Sequence, residues 1–286
     1  MRRLRVGLLK AMPRKWDKDA NYGTMERVVR RASEYSVDLV VTPECFLDGY
    51  VVEESDYTRK RLMGIAEEGE NGIYIRKTSQ LAGELRILLI VGFTEKQNGK
   101  LFNSAYLFGK DGTILGKYRK VHTNFPPNEP KYLSGDSLPV FDIGIGKCGI
   151  LICADRRWPE NARVLRLQGA EVIFVPSFGM WHGQNTMWMR TRSYENGVHI
   201  CFAHPQLSLI TDPEGDICAE LRSNAQEFLF HDIDLDLTSR AHIETRRSEL
   251  YHALSGNIQQ HASAKHHAHK TSPRVHRLQR SIDKRS

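Results

Sequence analysis

The chain has 286 residues, 40% hydrophobic and 26% charged, with 41 Lys and Arg against 34 Asp and Glu. This is the composition of one large or two small globular domains; it excludes global disorder and a collagen-like repeat, and no apolar run reaches the roughly 18 residues of a membrane helix. The net charge of +7 is uneven: residues 255–286 hold seven Lys or Arg and one acid, so a solvated basic tail is expected rather than a nucleic-acid groove on the fold.

In chain order, the apolar piece of MRRLRVGLLK is only residues 6–9. It is too short for a secretion signal and fits a first strand over residues 5–9, so a cytoplasmic protein is expected. Residues 21–35 read as an amphipathic helix, with Tyr22, Met25, Val28, Val29 and Ala32 at helical spacing. An apolar run over 38–42 ends at Pro43; 70–85 suggest a helix and 87–93 a buried strand. Residues 101–108 and 113–118 flank Lys110-Asp111-Gly112 as a hairpin. Strands follow at 138–145 and 147–153, a helix at 160–168 stopped by Gly169, a strand at 171–176, a helix at 186–196 and a strand at 198–204. Later strands fit 206–210, 217–219 and 228–235. Strands alternating with helices, plus hairpins, predict an α/β layered fold with mixed sheets. No internal repeat is evident. Periodicity ends near Leu254, which predicts a folded domain over 1–254 and a disordered, His-rich tail over 255–286, its His266, His267 and His269 solvated. Cys45, Cys148, Cys153, Cys201 and Cys218 are odd in number and contain no CxxC, against a disulfide scaffold or a zinc ribbon.

Three segments could carry chemistry. Val40-Val41-Thr42-Pro43-Glu44 delivers a carboxylate to the end of an apolar strand, where α/β sheets usually bind ligands. Taken alone, a solvated or helix-capping Glu is the simpler account. Gly116-Lys117-Tyr118-Arg119-Lys120-Val121-His122 closes a strand with cations, a pattern that also suits a charged sheet edge. Cys148-Gly149-Ile150-Leu151-Ile152-Cys153 brings a thiol to a strand end, followed by Ala154-Asp155-Arg156-Arg157 and a Trp158-Pro159 that can start a helix. Most cysteines are buried and structural. Arg156 and Arg157 argue against a dry core here and could help hold a thiolate. A carboxylate, a lysine and a thiol together suit C–N bond hydrolysis: base, oxyanion partner and nucleophile, with no metal or cofactor needed.

The blocks Pro43-Glu44, Tyr118-Arg119-Lys120-Val121-His122 and Cys153-Ala154-Asp155, in that order, resemble the nitrilase superfamily of carbon–nitrogen hydrolases. Gly169-Ala170-Glu171-Val172, Pro176-Ser177, Arg192-Ser193-Tyr194-Glu195-Asn196 and Arg246-Arg247-Ser248-Glu249-Leu250-Tyr251 are similar too, so the resemblance spans residues 4–253. It implies a four-layer α-β-β-α sandwich that pairs through helices into a homodimer, and a small-molecule amide or carbamoyl substrate. It implies Glu44 as general base, Lys120 as oxyanion stabiliser, Cys153 as nucleophile and Glu129 as a second carboxylate. Around the nucleophile the chain is similar to N-carbamoyl-D-amino-acid amidohydrolases, in which paired arginines bind the substrate carboxylate; Arg156 and Arg157 match them. A salt bridge to Asp155 or Glu160 is the alternative for this pair. Nitrile-specific members carry Trp-Glu after the nucleophile, where this chain has Ala154-Asp155. A catalytically idle scaffold whose tail recruits an acidic partner, or a nitrile hydrolase, are the competing functions.

Overall fold

The computed structural model describes residues 1–123, 131–179, 183–222 and 227–254. Its strands are β1 (Arg3–Leu9), β2 (Leu39–Val41), β3 (Leu88–Gln97), β4 (Lys100–Phe108), β5 (Ile114–Arg119), β6 (Val140–Asp142), β7 (Lys147–Ile150), β8 (Val172–Pro176), β9 (His199–Ala203), β10 (Ser208–Thr211), β11 (Ile217–Leu221) and β12 (Phe228–Asp234). The α-helices are α1 (Lys18–Glu34), α2 (Arg59–Ile65), α3 (Ile73–Leu85), α4 (Pro159–Leu167), α5 (Gln184–Asn196) and α6 (Ala241–Glu244). The strands form two six-stranded sheets, ordered β12-β1-β2-β3-β4-β5 and β11-β10-β9-β8-β7-β6.

Both sheets follow one plan. Three parallel strands, β1 to β3 or β7 to β9, are flanked by one antiparallel strand on the first side and two on the other. Parallel neighbours need a crossover, which α1, α3, α4 and α5 supply. The topology is thus duplicated although the sequence shows no repeat, because a shared plan requires shared hydrophobic parity and not shared residues.

Period-2 alternation sorts the strand side chains into layers. Leu4, Val6 and Leu8 of β1, with Leu39, Val41, Leu88 and Ile90, join Cys148, Ile150 and Val172 of the second sheet in one core. Leu9, Val40, Leu89 and Val91 face the other way, onto Met25, Val28, Val29 and Ala32 of α1 and Ile75, Leu81 and Ala82 of α3. On the second sheet, Ala162 and Leu165 of α4 and Met189 of α5 belong to the shared core. The expected α-β-β-α sandwich with mixed sheets is what the chain forms.

Boundaries shift for local reasons. Helix α1 starts three residues before the apolar pattern because the Asp17 carboxylate accepts from Ala20 N at 2.9 Å and caps it. Helix α2 has no sequence signal: Thr58 caps it, but it buries only Leu62. Strand β3 extends through polar Thr94 and Glu95, paired with Asn103 and Phe102 of β4. Strand β7 ends at Ile150, so Cys153 lies beyond it in a 3₁₀ turn over Cys153–Arg157. Of the aromatic and Met residues in the segment around α5, Met189 is core, Trp188 packs against the core, Met187 is exposed and Trp181 lies outside the described residues.

The chain divides into compact units Met1–Thr245 and Arg246–Ser286. In the second, residues 248–250 and 252–254 form short 3₁₀ turns, and the Arg246 guanidinium lies 5.0 Å from the Tyr251 ring centre. Residues 255–286, with the histidine run, lie outside the described residues. No helix among the described residues is long and apolar enough to cross a membrane.

Candidate active site

Glu44 follows β2, Lys120 directly follows β5, and Cys153 follows β7. The loop that carries Glu44 is stitched to β3. Thr42 N donates to Ile90 O at 2.9 Å, Gly92 N to Thr42 Oγ1 at 2.9 Å, and Thr94 N to Asp48 Oδ1 at 2.7 Å. Gly92 permits this approach: a Cβ there would lie 2.7 Å from Pro43 O and 2.9 Å from Cys45 N. Across the sheets, Glu44 N donates to Ser177 O at 3.4 Å.

Glu44 is 0% exposed and Lys120 6%, and Lys120 Nζ donates to Glu44 Oε1 at 2.6 Å. Asn103 Nδ2 donates to the same oxygen at 2.8 Å. The solvated and helix-capping accounts of Glu44 therefore fail. Strand β5 is indeed a sheet edge with Leu115 and Lys117 outward, yet Lys120 shares the inward parity of Tyr118. Burial alone would disfavour the ammonium, but the negative charge of Glu44, then that of Cys153 and Asp155, holds the Lys120 pKa above the usual lysine value.

Cys153 takes φ +47°, a left-handed conformation that non-glycine residues rarely hold and that turns its sulfur out of the strand direction. It is 6% exposed. Asp155, fully buried, braces the turn. It accepts from Ile152 N at 3.1 Å, His122 N at 2.9 Å and Tyr118 OH at 2.7 Å, and its Oδ1 lies 3.0 Å from His122 Nδ1. Because Asp155 stands two residues after Cys153 and His122 two after Lys120, one carboxylate ties the two segments together across the sheets. The His122 ring stacks on Trp158 at 3.8 Å.

The arginines depart from the sequence expectation. Arg156 was expected to signal a wet environment, but it is only 1% exposed. Among the described residues it forms no ion pair with Asp155 or Glu160. Its Nε and Nη2 donate to Asn185 Oδ1 at 3.0 and 2.6 Å, Nη2 to Gly179 O at 3.4 Å, and Nη1 to Cys153 Sγ at 3.2 Å. Arg157 is half-buried beside it, 5.8 Å from the Trp188 ring centre. Arg192 clamps the turn from α5, donating to the carbonyls of Arg156 and Arg157 at 3.2 and 3.1 Å. Glu129 lies outside the described residues.

Tyr50 lies close to Glu44 and Cys153. Its φ is +52°, and its ring stacks on Phe178 at 4.5 Å. Burial, then the charges of Glu44 and Cys153, push its hydroxyl pKa well up, so it shares their surroundings. Sequence reasoning missed Asn103, Asp155 as a brace, Asn185 and Tyr50. The one available signal was parity, which puts Asn103 on the same β4 face as Ala105 and Leu107 of the shared core, an unusual place for an amide. Among the described residues no group of three or more His, Cys, Asp or Glu could hold a metal ion.

Below Glu44, Asp48 is 1% exposed and its Oδ2 has no partner among the described residues. Burial pushes its pKa up to about 6, against the opposing hydrogen bond from Thr94. The native state therefore binds more protons than the unfolded chain between the ordinary aspartate value and about 6, and stability falls as pH rises through that window. Asp48→Asn is expected to raise the unfolding free energy by up to about 3 kcal/mol near pH 8 and to change it little near pH 4. Denaturant titrations at the two pH values check this; an equal change at both would show that charge is not the cause.

The carbon-nitrogen hydrolase family profile matches residues 5–243. The chain is 31% identical over 269 residues to a nitrilase of Pyrococcus abyssi, covering 87% of this chain and 99% of that one. It is 31% identical over 255 residues to omega-amidase NIT2 of Homo sapiens, covering 78% and 88%. The solved carbon-nitrogen hydrolase of Helicobacter pylori G27 superposes with a TM-score of 0.78 at 23% identity, over 89% of this chain and 99% of that one, a likeness of fold. The chain belongs to the carbon–nitrogen hydrolase family, the nitrilase superfamily. It is a hydrolase of carbon–nitrogen bonds other than peptide bonds.

Proposed function

We propose that this protein is a cysteine-dependent amidase that hydrolyses a small linear amide or N-carbamoyl compound bearing a carboxylate, releasing ammonia. The observation that carries the reading is the buried 2.6 Å contact of Lys120 with Glu44, at the same strand-end edge as a turned-out Cys153. Glu44 takes the Sγ proton as the thiolate attacks the carbonyl carbon. Lys120 offsets the charge on the resulting oxyanion. The C–N bond breaks, Glu44 returns the proton to nitrogen, and ammonia leaves a thioester. Water attacks that thioester, its proton passing to Glu44 and on to sulfur, and the acid departs. Glu129, nine residues after Lys120 in the sequence, assists as a second carboxylate. Arg156 and Arg157 supply the positive field for the substrate's carboxylate, Arg156 through its charge alone because its donors go to Asn185, Gly179 and Cys153 Sγ.

The resemblance to N-carbamoyl-D-amino-acid amidohydrolases favours carbamoyl substrates, and the omega-amidase relative favours ω-amides of dicarboxylates. Exposed Leu167 on α4 and Met187 and Tyr194 on α5 supply an apolar face for a homodimer. Five free cysteines and a thiol nucleophile suit the cytoplasm. The folded domain of this reading spans residues 1–254.

The test is ammonia release from N-carbamoyl amino acids, succinamate, glutaramate, uncharged amides and nitriles. Turnover of carboxylated amides or carbamoyl compounds is expected, and its loss once iodoacetamide has alkylated Cys153. No ammonia from any compound, or activity surviving complete alkylation of Cys153, would overturn the proposal.

A further inference from the structure

The two oxygens of Glu44 are treated differently. Oε1 accepts from Lys120 Nζ at 2.6 Å and from Asn103 Nδ2 at 2.8 Å, whereas Oε2 is buried without a partner among the described residues. Asn103 lies on β4, is 2% exposed, and accepts from Lys120 N through its backbone carbonyl at 2.9 Å. One residue therefore touches the Glu44 carboxylate and the Lys120 backbone together. Its own Oδ1 is buried and unpartnered among the described residues. A buried acceptor left unsatisfied is destabilising, and an apolar residue of similar volume would avoid it. The opposite amide orientation would turn Oδ1 against a carboxylate oxygen, so the hydrogen bonding fixes Nδ2 toward Glu44.

We propose that Asn103 is a positioning residue that locks Glu44 Oε1, so that Oε2 alone exchanges protons with the Cys153 thiol, the leaving nitrogen and the attacking water. The inference rests on the reading of Glu44 as general base. Lysine alone cannot do this. The carboxylate torsion is broad and two-fold, and one ammonium on a flexible stem follows either oxygen as the group turns. A second donor, fixed by the β4 backbone, selects one orientation. Proton transfer then always uses the atom whose lone pairs are open.

The test measures kcat and KM for ammonia release from the fastest-turned-over amide of the panel above, in Asn103→Leu, Asn103→Ala, Glu44→Gln and the Glu44→Gln/Asn103→Leu double variant. Asn103→Leu removes the donor and the orphaned acceptor together, so folding is retained; kcat is expected to fall on the order of 10–100-fold with KM within about twofold. Asn103→Ala leaves room for a water that donates to Oε1, so its loss is smaller. In the Glu44→Gln background, Asn103→Leu adds less than about a twofold loss. Losses that multiply in the double variant, or a larger loss in Asn103→Ala than in Asn103→Leu, would assign Asn103 to packing and overturn the proposal. Wild-type kcat in Asn103→Leu beside an impaired Glu44→Gln would overturn it too. Wild-type activity in Glu44→Gln would instead remove the base reading itself.

Discussion

Lys120→Met is expected to impair the protein in two separable ways. Ammonia release falls on the order of 10²–10³-fold, the usual loss when one preorganised oxyanion partner is removed. Stability falls as well, because Glu44 is 0% exposed and would keep Asn103 as its one side-chain donor among the described residues. Breaking a buried pair by removing one partner costs about 3–5 kcal/mol, which lowers the melting temperature by on the order of 10 °C in a protein of this size. The sign with pH follows from the elevated Lys120 pKa. The pair's contribution is complete below the ordinary lysine value and is lost only as pH rises through the still higher native value, so the wild-type contribution that Lys120→Met removes is undiminished up to about pH 9. Adding Glu44→Gln to Lys120→Met removes the stranded charge and is expected to recover most of the lost stability and none of the activity. A Lys120→Met protein that melts at the wild-type temperature would show that the pair does not hold a buried charge. Thermal melts of the two single variants and the double variant, beside ammonia assays, decide both parts.

Most of the sheet strands were legible because burial imposes alternation, and the end of β2 could be read from where an apolar run stops; β7 was read three residues too long because the apolar run continues through Leu151 and Ile152 after the strand ends at Ile150. Glu44, Lys120 and Cys153 stood out as reactive residue types after β2, β5 and β7. Other features depend on partners distant in sequence. Asn103 looks like any polar residue in a strand until the β3–β4 register sets it opposite Thr94 and the β4–β5 ladder, continued one step past Arg119, brings Lys120 to it. Arg156 reads as a surface cation because a single sequence cannot show Asn185, 29 residues later, arriving to accept from it. The edge-strand account of Lys117 to Lys120 was half right for a physical reason: alternate residues of one edge strand face opposite ways, so Lys117 is solvated and Lys120 is not. The left-handed turn at Cys153 has no composition signal, since no glycine marks it.

Arg156→Met is expected to slow alkylation of Cys153 by iodoacetamide at neutral pH by about 10-fold or more, and to lower ammonia release from carboxylated and uncharged amides alike. The guanidinium is 1% exposed, makes no ion pair among the described residues, and donates to Cys153 Sγ at 3.2 Å. A buried cation without a carboxylate partner is unfavourable, and the anion that relieves it most directly is the thiolate itself. A second readout is His204. Burial, and then the positive charge of Arg156, lower its pKa to about 4. Native His204 therefore resists protonation that the unfolded chain accepts, and stability falls as pH drops from the ordinary histidine value toward about 4. In Arg156→Met the His204 resonance titrates at higher pH, and part of that acid sensitivity disappears. The apolar replacement is of similar length, so the fold is expected to persist. If the guanidinium served only to grip a substrate carboxylate, alkylation by an uncharged reagent and turnover of uncharged amides would both stay at wild-type rates. That pair of results would move Arg156 from the nucleophile to the substrate.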